Sequence, residues 1–108
     1  KDYSPEGRIN NIRNAQMIVQ YLHNNGCDVV VSLVAPYRWL REELKEGIGF
    51  GDFQEFYVHC SDARERDHFH AKDYEAPEIE FTDIDTTKDS PDVSFSKIIN
   101  HLTKLNKL

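Results

Sequence analysis

The stretch DVVVSLVAP, residues 28–36, constrains the fold more than any other part of the chain. Five of its nine residues are aliphatic, and four of those are valine. Branched side chains suit a pleated, packed surface. A run without polar alternation predicts a strand buried on both faces, and such strands belong to parallel sheets covered by helices. Pro36 ends it, because proline cannot donate to a ladder. Helical patterns lie on either side. Upstream, Ser4 is placed to cap a helix, with Pro5 at the first helical position and Glu6 against the positive end of the dipole. Ile9, Ile12, Ala15, Val19 and Leu22 recur at helical spacing, with Ile18 beside them, and Asn24, Asn25 and Gly26 end the helix. Downstream, YRWLREELKE is helical, with Arg41 and Lys45 each three or four residues from acidic neighbours.

The rest of the chain continues this alternation. GIGFGD is a glycine-rich loop, but it follows a helix and lacks the GxxxxGK[ST] order of a phosphate cradle. FQEFYVHC, residues 53–60, predicts a second strand, SDARERD a short helix, and HFHAKDYEAP an irregular polar loop. EIEFTDID, residues 78–85, alternates apolar and acidic positions as an edge strand does. Ser90 and Pro91 open a last helix with Val93, Ile98, His101, Leu102 and Leu105 along one side. The order αβαβ(α)βα predicts a small parallel α/β sheet in one domain spanning residues 1–108.

The formal net charge is −6, which argues against non-specific nucleic-acid binding, although a local site can still hold an anion. No apolar run approaches the length of a membrane span. Cys27 and Cys60 have no CxxC spacing and are expected as free thiols in a cytoplasmic protein.

In parallel α/β sheets, ligands sit beyond the carboxyl ends of the strands. The loop after Val34, the loop after Cys60 and the start of the first helix are expected to converge there. Arg8 and Asn11 are three residues apart and share a helix face. A guanidinium suits phosphate or sulfate through its planar fork, an amide can bond a sugar or base edge, and Tyr3 could stack on a base. The competing reading is a solvated polar helix start. His59, Cys60, His68 and His70 are zinc-ligand types. Adjacent strand residues point to opposite faces, so a core cysteine with exposed loop histidines is the simpler expectation, and no metal site is assigned. The acidic run at Asp83, Asp85, Asp89 and Asp92 lacks the order of a calcium loop and fits a turn with a Ser90 cap.

The ordered motifs resemble those of the adenylylsulfate kinases. YSPEGRINNIRNAQ is similar to a family stretch of the form F-S-x-x-D-R-x-x-N-I-R-R, and VVVSLVAPYRWLREE to a strand ending in I-S-P-Y-R. GDFQEFYVHC resembles G-D-F-x-E-V-Y-V, RERD resembles C-E-x-R-D, YEAP resembles Y-E-x-P, and DIDT resembles a later L-D-T strand end. The resemblance implies a three-layer parallel sheet of the P-loop nucleoside-triphosphate kinase type, incomplete at its N-terminus. It implies transfer of the terminal phosphoryl group of ATP, with magnesium, to the 3′-hydroxyl of adenylylsulfate. It places Tyr3 against the substrate adenine, and Arg8 and Asn11 on the substrate's anionic and polar groups. Val34, Ala35 and Pro36 line the same pocket, and Arg66 lies on the nucleotide side. The implied partner is a small nucleotide, without nucleic acid or membrane, and a homodimer is compatible with it.

Departures from the family pattern are equally specific. The Walker-type loop and the strand ending in D-G-D precede the matched region in the family, and neither is in this sequence. Ala35 stands where many members have serine, Gly7 where they have Asp, and Asn14 where they have a second Arg. The long basic lid shrinks to HFHAKDYEAP. These differences keep two alternatives open: a degenerate nucleotide-binding or interaction module, and a kinase for another small hydroxyl substrate. Because the P-loop strand lies mid-sheet in the family, a preceding β-loop-α-β unit of roughly 30–50 residues is expected in the parent protein. A well-folded monomer with an intact mass of 12.6 kDa would count against that expectation.

Overall fold

The computed structural model describes residues 4–60 and 74–108. It divides into two compact units, the first built from residues 1–53 and 71–76, the second from 54–70 and 77–108. The first unit opens with α1, Pro5–Asn24. Its start is the one the sequence predicts: Ser4 Oγ accepts from the Gly7 amide at 3.1 Å, and Pro5 occupies the first turn. Ile12 and Val19 are buried, whereas Ile18 is exposed. The helix ends at Asn25, and Gly26 takes φ 81°, a left-handed conformation that costs glycine little. After an extended connector comes α2, Arg38–Ile48, whose Leu40 is fully buried.

The connector contains the valine run, and here the structure corrects the expected strand. Residues 28–36 form no ladder among the described residues, and Val30 is 96% exposed, with Val31, Leu33 and Val34 also exposed. Branched side chains specify a preference for burial, but hydrogen-bonding neighbours must come from elsewhere, and no other described segment of this unit is a strand. The unit therefore holds the run extended, tethered at its far end by the turn at Ala35–Pro36.

The second unit holds the sheet. β1, Glu55–His59, pairs in parallel with β2, Phe81–Asp85, in the register Tyr57↔Asp83 and Val58↔Ile84. The fold is thus α/β with a small parallel sheet, of two strands among the described residues where three were expected. α3, Pro91–Lys104, packs on β2 and covers Ile84, which is 1% exposed. Ser90 caps α3, its Oγ accepting from the Val93 amide at 3.3 Å. His101 lies at the seam, with its Nε2 3.3 Å from Thr82 Oγ1 and 3.2 Å from Gln54 Oε1, and its ring edge-on to Phe56.

Candidate functional site

The expected substrate residues that the structure describes all belong to the first unit. Arg8 is half-buried and Asn11 exposed, both in the opening turns of α1. Val34 is exposed, Ala35 half-buried and Pro36 buried, in the turn that enters α2. Tyr3 and Arg66 lie outside the described residues, as do His68, His70 and the expected short helix.

Side-chain contacts join the two helices of the first unit. Arg13 bonds Glu43 at 3.2 Å and lies over the Trp39 ring. Gln16 Nε2 donates to the Leu40 carbonyl at 3.0 Å, and Gln20 Oε1 lies against Gly47. These contacts pack α1 against α2 within the first unit. The guanidinium of Arg8, in the opening turns of α1, is of a type that can hold an anion through its planar fork.

The turn is held by a segment far away in sequence. Arg41 Nη1 donates to the Ala35 carbonyl at 2.7 Å, and Nη2 donates to the Glu75 carbonyl. Its guanidinium also lies over the Tyr74 ring. The Glu75 amide donates to the Pro36 carbonyl at 2.8 Å, and Arg38 Nε donates to the Ala76 carbonyl at 3.1 Å. Tyr37 offers α2 no side-chain cap; instead Glu75 Oε1 accepts from the Arg38 amide at 2.8 Å. The acidic cap that the local sequence lacks thus arrives from residue 75. Helical spacing suggested surface pairing for Arg41 and Lys45. Arg41 reaches two main-chain carbonyls, and Lys45 is 1% exposed with its ammonium over Phe53. The presence of both APYR and YEAP was the available signal; their contact was not.

At the ends of the parallel strands, in the second unit, Thr86 donates from its amide and its hydroxyl to the His59 carbonyl. Asp85 Oδ1 accepts from the Thr87 amide at 2.9 Å, and the Thr87 hydroxyl lies 3.8 Å from Cys60 Sγ. His59 Nε2 is 2.8 Å from Asp83 Oδ1, and the ring stacks on Tyr57. Asp89 pairs with Lys97, so the acidic run serves the turn and the start of α3. Among the described residues no three His, Cys, Asp or Glu side chains gather as a metal site, and no described helix is long and apolar enough to cross a membrane. Cys27 and Cys60 are free thiols.

Comparison with known proteins matches residues 2–95 to the family model described as Adenylylsulphate kinase. An adenylyl-sulfate kinase of Staphylococcus haemolyticus is 30% identical, covering 93% of this chain and 59% of the relative. One from Microcystis aeruginosa is 34% identical, covering 95% of this chain and 66% of the relative. One from Picosynechococcus is 41% identical over a shorter stretch, 54% of this chain and 32% of the relative. The chain thus spans less than two thirds of the length of these relatives. No solved structure matches it. With the family model covering most of its length and the relatives agreeing, the chain belongs to the adenylylsulphate kinase family.

Proposed function

We propose that the complete protein carrying this chain transfers the terminal phosphoryl group of ATP to the 3′-hydroxyl of adenylylsulfate. The observation that carries this is the family match across residues 2–95, which includes the opening of α1 and the segment at Val34–Pro36. Arg8 grips the sulfate or phosphate of the substrate through its fork, and Asn11 bonds the sugar or base edge. Val34, Ala35 and Pro36 form the wall beside them. Tyr3 stacks on the adenine, and Arg66 serves the nucleotide side.

The residues described do not by themselves fit a magnesium–triphosphate site. No metal-type cluster is present among them, and the sequence has no GxxxxGK[ST]. Magnesium and ATP are therefore assigned to the complete protein, and Tyr3, Arg8, Asn11 and the Val34–Pro36 segment act on the acceptor side. There they bind the nucleotide and fix the direction of its hydroxyl, the positioning on which phosphoryl transfer depends.

The test is a coupled assay of ATP consumption by the complete protein, with adenylylsulfate and then other small hydroxyl compounds as acceptor. Adenylylsulfate is expected to accelerate consumption most. Consumption that is indifferent to adenylylsulfate would sink the assignment, and a stronger response to another acceptor would replace the substrate.

A further inference from the structure

We infer that Arg41 is a positioning residue for the nucleotide wall: it clasps the Ala35–Pro36 turn to the strap at Tyr74–Ala76 and so sets the shape presented to an adenine-nucleotide sulfate ester. The inference rests on the acceptor-site reading above. Two observations motivate it. The first is how the guanidinium is used. Its two terminal nitrogens go to two main-chain carbonyls, one six residues back and one 34 residues ahead, while its face lies over Tyr74. A planar fork can bridge two acceptors in fixed directions, and an ammonium on a flexible stem cannot.

The second is strain at the clasped turn. Ala35 sits at φ 39°, where its Cβ is crowded, and the following proline restricts it further. Such a conformation persists only where the surroundings over-determine it. Here the surroundings are on view. Arg41 holds the Ala35 carbonyl, the Glu75 amide holds the Pro36 carbonyl, and Glu75 Oε1 holds the Arg38 amide directly beyond the turn. The strap engages the turn through both its main chain and its side chain. Removing Arg41 frees Ala35 to relax to negative φ, which re-aims the peptide group between Val34 and Pro36. That peptide lies in the wall and not among reacting atoms, so substrate binding falls while the chemical step is spared.

The experiment uses Arg41→Ala and Arg41→Lys in the complete protein, with steady-state kinetics for adenylylsulfate and ATP, and hydrogen exchange at the Glu75 amide. Arg41→Ala is expected to raise KM for adenylylsulfate about tenfold or more, with kcat and KM for ATP within about threefold, the signature of lost ground-state positioning. The Glu75 amide is expected to exchange faster, while amides of α3 keep their protection. Arg41→Lys, which keeps charge and stem and serves if the alanine variant does not fold, is expected to raise the same KM without restoring the clasp. Unchanged KM for adenylylsulfate in both variants, or a parallel loss of kcat and both KM values, overturns the positioning role. Wild-type protein that neither binds nor turns over adenylylsulfate removes the acceptor-site reading, and the role of Arg41 falls with it. Wild-type protein that binds it as well as the variants do overturns the role of Arg41 alone.

Discussion

Ala35, at φ 39°, places its methyl group in a region that residues with a Cβ seldom occupy. Glycine would take the same conformation without that crowding. Ala35→Gly is therefore expected to stabilise the chain by about 0.5–1 kcal/mol, read as a higher denaturant midpoint at unchanged m-value. A lower midpoint would mean that the turn relaxes by other means. Arg8 gives the residue-scale test of the substrate wall. If its guanidinium makes a charged hydrogen bond to the substrate, Arg8→Ala weakens adenylylsulfate binding by about 1.5–3 kcal/mol in titration calorimetry. Unchanged affinity would mean that Arg8 serves only the helix start. Arg8 and Asn11 could be singled out in the sequence because a helix fixes which neighbours share a face. Arg41 could not, since its acceptors are backbone carbonyls, and every residue carries one.

The helix starts were legible for the same local reason. Ser4 and Ser90 each bond an amide three residues ahead, within one turn of the residues that announce them. The start of α2 was legible to within a residue, but its cap was not, because that cap is Glu75, and only the folded chain brings the residue near. On α3 the packed face differs from the expected apolar stripe. Ser94 is 8% exposed, Val93 is 45% exposed, and the Ser94 hydroxyl has no hydrogen-bond partner among the described residues. An unpaired buried hydroxyl costs stability, and alanine is the better helix former. Ser94→Ala is expected to stabilise the chain by about 0.5–1.5 kcal/mol, measured by thermal or denaturant unfolding. Loss of stability would reveal an acceptor for that hydroxyl.

At the scale of the whole chain, the valine run shows the limit of reading composition as structure. Its residues ask for a strand covered on both faces, yet Val30 is almost fully exposed and the run joins no ladder among the described residues. The parallel pairing of β1 with β2 was legible, because a helix-strand alternation leaves few other ways to connect strands. Chemistry follows the same division. The sequence has no GxxxxGK[ST], and the described residues hold no metal-type cluster. Charge on a transferring phosphoryl group must be met by main-chain donors, a lysine and a divalent cation in this class of fold. The 108-residue chain by itself is therefore expected to show no adenylylsulfate-dependent ATP consumption above the uncatalysed background, in the same coupled assay used for the complete protein. Turnover by the chain alone would require a triphosphate site built from other residues than those the family uses.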